Sequence, residues 1–145
     1  MTGPVGRWAV MAFLVVGLSG TGCGKKPQGV AVHPVRGAVF HAGSVPAGAL
    51  VLFHALSPAV PGVPSPRGRV ETDGTFRLTT YRTGDGAPVG EYAVTVTWKQ
   101  RMDHPEEEGP DLLPVRYSQA STSPLRATVH PGANELQPFH LTKDP

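Results

Sequence analysis

Residues 90–98 alternate without interruption: Tyr92, Val94, Val96 and Trp98 share one face of an extended chain, and Glu91, Ala93, Thr95 and Thr97 share the other. A period of two belongs to a strand, because successive side chains there point to opposite sides; a helix repeats every 3.6 residues. The same period recurs along the chain between turn residues, and no stretch keeps a helical period. Val35, Gly37 and Val39 define a first strand, and residues 49–53, Ala-Leu-Val-Leu-Phe, read as a short apolar strand covered on both faces. Residues 68–72 and 75–80 flank Asp73-Gly74, a dipeptide suited to a tight hairpin turn. Leu125, Ala127 and Val129 mark a sixth strand. Residues 135–141 mark a seventh, entered through Pro131-Gly132-Ala133-Asn134. Seven short strands separated by turns predict an all-β chain, a two-sheet antiparallel sandwich. Its core is expected to set Tyr92, Val94, Val96 and Trp98 against Leu50, Leu52, Phe76 and Leu78, with Thr95 facing outward.

Composition refines this. Gly (18) and Pro (16) approach a quarter of the chain, a level at which disorder becomes a rival. The charged fraction of 17%, together with the Val-rich alternation, favours a turn-rich folded domain instead. Thirteen basic residues face 11 acidic ones, with no Lys/Arg stripe beyond the scattered Arg67 and Arg69. That near balance argues against a nucleic-acid partner.

The N-terminal segment has a different character. Arg7 precedes an apolar run of eleven residues, 8–18, followed by Ser19, Gly20, Thr21, Gly22 and Cys23, the chain's single cysteine. A membrane-spanning helix needs about twenty apolar residues, so the run is too short for a permanent anchor and has the form of a cleavable export segment. One cysteine makes no internal disulfide, and a free thiol outside the cell invites oxidation unless it is used. The segment resembles a bacterial lipoprotein signal peptide: Thr21-Gly22-Cys23 matches the small-small-Cys part of the lipobox, with Gly20 where Leu is usual. The resemblance implies cleavage before Cys23 and acylation of Cys23, two or more chains giving stable anchoring. The expected organisation is therefore residues 1–22 as signal peptide, 23–33 as lipidated cysteine and flexible tether, and 34–143 as the β-sandwich domain. Lys25 and Lys26 either lie beside anionic headgroups, each adding about 1 kcal/mol, or belong to a solvated linker. Residues 19–26 superficially suggest a phosphate-binding loop, but Ser19 and Lys26 stand where Gly and Ser/Thr are needed, and no strand-to-helix context surrounds them.

Four patterns follow one order in the body of the chain: Val35-x-Gly37-x-Val39; Val45-Pro46-x-Gly48-Ala49-x-Val51-x-Phe53; Thr72-Asp73-Gly74-x-Phe76; and Gly90-x-Tyr92-x-Val94-x-Val96. Together they resemble the carboxypeptidase regulatory-like, or transthyretin-like (prealbumin-like), β-sandwich superfamily, which implies an Ig-like two-sheet fold. Thr79-Thr80-Tyr81 through Pro88, Gly90-Glu91-Tyr92, and Leu113-Pro114 through Leu125 also look like a family of small bacterial lipoproteins without established activity. The superfamily's hydroxyisourate hydrolases end in Tyr-Arg-Gly-Ser. This chain ends Phe139-His140-Leu141-Thr142-Lys143-Asp144-Pro145, so their activity is not carried over.

No local pattern supplies chemistry. The six histidines lack helical zinc spacing and a cysteine partner; His54, His130 and His140 are the ones that sandwich strands can bring together. No Gly-x-Ser-x-Gly elbow occurs, and residues 103–111 lack the alternating ligands of a Ca²⁺ loop. Tyr92 and Trp98 read as core rather than as a carbohydrate-stacking platform; Tyr81 and Tyr117, each next to a loop, are better candidates for exposed aromatics. The expected protein is a non-catalytic cell-envelope lipoprotein without cofactor or metal, a structural or protein-interaction module held to a membrane through lipid on Cys23. The alternative is a module binding carbohydrate or another small ligand. Candidate partner contacts are Asp85 in the Gly84-Asp85-Gly86 turn and the acidic tip Glu106, Glu107 and Glu108. Around that tip, Leu112, Leu113 and Tyr117 are expected to pack onto the sandwich while residues 106–109 stay exposed.

Overall fold

The computed structural model describes Gly3, residues 29–101 and residues 108–143. Cys23, Glu106 and Glu107 lie outside these. The described residues form ten strands: β1 (Val32–His33), β2 (Val35–His41), β3 (Leu50–Ala55), β4 (Arg67–Arg69), β5 (Thr75–Arg77), β6 (Ala87–Pro88), β7 (Gly90–Thr97), β8 (Arg126–Val129), β9 (Asn134–Glu135) and β10 (Phe139–Leu141). One short 3₁₀ turn, Val115–Tyr117, is their only helical element. The strands make two four-stranded sheets and a two-stranded ribbon. One sheet runs β4-β3-β7-β8. The other centres on β2, with β5 on one side and β9 and β10 also paired to β2. The ribbon pairs β1 with β6.

The chain is thus all-β, as its periodicity predicts, with two differences in strand count and direction. The expected seventh strand is split into β9 and β10. Leu136 still donates its N–H to Arg36 O, but Pro138 has no N–H to offer and the ladder lapses before Phe139. The ribbon adds two more strands, each too short to leave a periodic trace. β9 and β10 also run parallel to β2, whereas every other ladder is antiparallel. The chain reaches them from β8, which belongs to the other sheet, so no hairpin forces them antiparallel to β2. The side chain of Asn134 closes that crossing turn. Its Oδ1 accepts the His130 N–H at 2.8 Å, and its Nδ2 donates to the carbonyls of His130 and Gly132.

Between the sheets lies one hydrophobic cluster. Val39 and Phe76 come from the β2 sheet, and Val51, Phe53, Val94, Val96 and Val129 from the β3–β7 sheet; none of them is exposed. The β3–β7 register pairs Val51 with Val96 and Phe53 with Val94. Leu50 and Leu52, expected in this core, therefore sit on the opposite face beside Thr97 and Thr95 and are only half-buried. The correction follows from period two: in an all-apolar run, cross-strand pairing decides which alternate residues turn inward. Thr95 was expected outside. It is buried on that second face, opposite Leu52 on β3, and its Oγ1 meets His54 Nε2 at 2.9 Å. Trp98 is half-buried, at the edge of the cluster rather than inside it, with its indole N–H donated to Ala47 O. Across β2 and β5, Gly37 pairs with Phe76, whose ring lies where a Cβ on Gly37 would stand, at 2.6 Å.

Because Val51 faces the core and Leu50 does not, Val51→Ala should cost about 1–3 kcal/mol through lost burial and the cavity left behind. Leu50→Ala should cost less, although it removes more carbon. Denaturant midpoints that are equal, or in the reverse order, would show that β3 lies the other way up.

Candidate functional site

The antiparallel pair β3–β7 gives the domain two distinguishable ends. Ala55 lies opposite Tyr92 at one, and Leu50 opposite Thr97 at the other. The first end collects the chain's entry at residues 29–33, the proline-rich residues 56–66 and the loop 79–89. The second collects Ala47, Gly48, Trp98 and the segments flanking residues 102–107.

At the first end, the loop 79–89 is held by its own polar side chains. Asp85 Oδ1 accepts the Thr80 N–H at 2.7 Å, and Oδ2 accepts those of Tyr81 at 3.0 Å and Arg82 at 2.8 Å. Thr79 Oγ1 accepts the Gly84 N–H, and Thr80 Oγ1 donates to Gly86 O. Burial works to raise the Asp85 pKa, but the N–H bonds from Thr80, Arg82 and Tyr81 outweigh it and leave the carboxyl below its ordinary value. Gly86 closes the neck of the loop at φ +99°, where a Cβ would run into the His33 carbonyl; only glycine serves both conditions. This contact lets β1 lie against β6, with Val32 opposite Pro88. Upstream, the Val30 N–H donates to Tyr81 Oη at 3.1 Å, and the His33 ring accepts the Gly132 N–H through Nδ1 at 3.0 Å.

The proline-rich residues complete this end. Leu56 N–H donates to Glu91 O and Phe53 N–H to Pro66 O, which fixes both feet of the loop on the β3–β7 sheet. Between the loop and the 79–89 neck is an apolar cleft of about 310 Å³ rimmed by Val30, Pro58, Val60, Val63 and Val89, with Tyr92 in its wall. Tyr92 donates its hydroxyl hydrogen to Pro88 O, and burial pushes its pKa up.

At the second end, Asp111 Oδ1 accepts the N–H groups of Trp98 and Leu113, and Leu112 donates its N–H to Trp98 O. The chain after Asp111 then folds back along the sandwich. Leu113 and Tyr117 enter the core cluster, as their apolar character predicts, but Leu112 is 44% exposed. Tyr117 is buried, as its expected packing onto the sandwich requires. Its Oη accepts the Thr142 N–H at 3.1 Å and a bond from Arg116 at 3.1 Å, so the polar tip is satisfied while the ring is covered. Gly109, expected to be exposed, is buried against Gln100, whose carbonyl stands where a Cβ would be.

Of the sequence-predicted contacts, Asp85 has both oxygens engaged by its own loop, and Glu108 is exposed at the second end. They are not brought together: Asp85 borders the groove at Val30 and Tyr81, and Glu108 the hollow at Leu50 and Trp98. Cys23, Glu106 and Glu107 fall outside the described residues. The three candidate histidines do not converge. His54 bonds Thr95, His140 stacks on Phe40, and His130 sits at the Asn134 turn. Among the described residues no group of three or more His, Cys, Asp or Glu is placed to hold a metal. Of the two candidates for exposed aromatics, Tyr81 is exposed, beside the groove that runs from Gly29 to Val32. The proline-rich cleft went unread in the sequence; its signal was four prolines between Val-rich segments, which marks a shaped loop without saying what faces it. No family model, curated protein or solved structure matches this chain.

Asp85→Ala should speed hydrogen exchange at the amides of Thr80, Tyr81 and Arg82, with Asp85→Asn, which keeps one acceptor oxygen, falling between. Because the folded-state pKa is lowered, the stability Asp85 contributes is present above about pH 4, the ordinary carboxylate value, and is lost as pH falls through the lower folded-state value. The acid limb of the stability profile should therefore flatten in Asp85→Ala. An unchanged acid limb with unchanged exchange would remove Asp85 as the clasp of this loop.

Proposed function

We propose that this chain is an exported, lipid-anchored protein of the cell envelope whose transthyretin-like β-sandwich serves as a non-catalytic interaction module. The observation that carries the proposal is the position of the only cysteine. Cys23 follows an apolar run of eleven residues and a small-residue stretch, and it stands six residues before Gly29. There the chain joins the domain, with the next N–H, that of Val30, bonded to Tyr81. A free thiol there is exposed to oxidation; acylation removes that hazard and supplies an anchor. The polar side chains of the loops support the interaction role. Asp85, Asp111, Thr80 and Asn134 engage backbone groups and make shaped, fixed surfaces. Rigidly presented loops are where such domains meet partners. The anchor reaches the first end, and the acidic residues Glu106, Glu107 and Glu108 belong to the loop entered from the second. We assign the partner contact to that acidic segment.

Cys23→Ala should move the protein from the detergent phase to the aqueous phase in phase partitioning. Wild type and variant both remaining aqueous would sink the anchoring claim. Replacing Glu106, Glu107 and Glu108 with Ser should abolish crosslinks to envelope proteins while leaving partitioning unchanged. Crosslinks that persist at full strength would eliminate the acidic segment as the contact.

A further inference from the structure

Single exposed apolar side chains are ordinary on a protein surface, but their concentration in one place is not. Among the described residues seven large hydrophobic side chains are exposed: Val30, Leu56, Val60, Tyr81, Val89, Leu112 and Val115. The first five gather at the end where the chain enters the domain. Val30, Val60 and Val89 rim the proline-rich cleft; Leu56 stands at the foot of the same loop; Tyr81 shares a groove with Val30. The loops carrying them are clasped by Asp85, by Gly86 against His33, and by the bonds of Leu56 and Phe53, so the apolar surface is held in place.

We propose that this end docks against the surface of the bilayer that holds the lipid on Cys23, with Val60 and Val89 as its leading side chains. The proposal rests on the lipidation of Cys23. Six peptide units separate Cys23 from Gly29, a span of at most about 20 Å when fully extended. Gly29 itself lies against the Tyr81 ring, so the tether ends inside the apolar end and brings it, and no other face, closest to the membrane. Charge agrees with this orientation. Lys25 and Lys26 stand in the tether and Arg82 in the groove beside Val30, all attracted by anionic headgroups. The exposed Glu91 and the Asp85 carboxylate, which lines the same groove as Arg82, oppose them at this end. Glu108 lies at the other end of the domain, separated by the length of β7, about 25 Å. A rim of valine and proline with a tyrosine at its edge suits the interfacial zone, where apolar side chains enter the acyl boundary and aromatic ones stay at headgroup depth.

The test uses the full lipidated chain in vesicles of phosphatidylethanolamine and phosphatidylglycerol. Val60→Cys, Val89→Cys and Leu112→Cys each introduce one thiol for an environment-sensitive fluorophore, since acylated Cys23 does not react. All three positions are exposed, so labelling leaves the core intact. Labels at Val60 and Val89 should emit to the blue, be quenched by nitroxides carried at the headgroup level of the lipids, and resist aqueous iodide. The label at Leu112 should show the reverse. Adding Asp at the unlabelled valine of the pair should return the remaining label toward the aqueous response while the protein still floats with the vesicles. Labels at Val60 and Val89 as open to iodide as that at Leu112, on protein that floats, overturn the docking alone. Shielding of these labels without lipid quenching identifies a second copy or another protein as the occupant and also overturns it. Wild-type protein that does not float overturns the anchoring on which the proposal rests.

Discussion

The ladder between β3 and β7 is the interaction on which the rest of the structure depends. It sets Val51 against Val96 and Phe53 against Val94, so four unexposed side chains enter one core from two adjacent strands. β7 is also paired with β8 on its other side, and residues 92–96 are buried on both of its faces. A strand so placed tolerates no shift of register, since one residue of slip would exchange every inward side chain for an outward one. The second sheet then closes over the ladder through Val39 and Phe76, with Phe76 fitted over Gly37.

A small, loop-rich domain must also hold its connections, and here polar side chains do this by binding backbone. Asp85 collects three N–H groups, Asp111 two, and Asn134 bridges both ends of its turn. Ser123 donates to Val94 O and accepts the Leu125 N–H, joining the start of β8 to β7. Bonds from N–H groups to ionised carboxylates are stronger than neutral ones, which suits short turns rich in glycine and proline. The low charged fraction of the chain is thus compatible with well-formed loops, because several of its carboxylates are engaged locally.

The all-β character and the main strands were legible because alternation and turn residues report local geometry directly. Residues 90–98 and Asp73-Gly74 are the clearest cases; the Glu71 N–H pairs with Thr75 O across that turn. What alternation could not decide was orientation within residues 49–53, where Leu50 and Leu52 are as apolar as Val51 and Phe53, and only pairing with β7 separates them. Parallel pairing of β9 and β10 with β2 joins residues about a hundred positions apart and leaves no local mark. The ribbon β1–β6 was hidden because it depends on Gly86 meeting His33. The packing of Tyr117 was legible beside Leu113, but the partners of its hydroxyl, Thr142 and Arg116, required the folded chain. At the candidate site, Asp85 was visible as a turn carboxylate, but its three backbone partners required the folded loop.

The two ends of the domain divide the proposed work. In the proposed arrangement one would receive the tether beside the apolar rim, and the other would hold the acidic loop away from the membrane. This division depends on the chemical state of Cys23, which is most directly read by the intact mass of the protein extracted from membranes. The account predicts a chain beginning at Cys23 with acyl groups attached. A membrane-extracted chain that retains residues 1–22, or one with an unmodified Cys23, would contradict it.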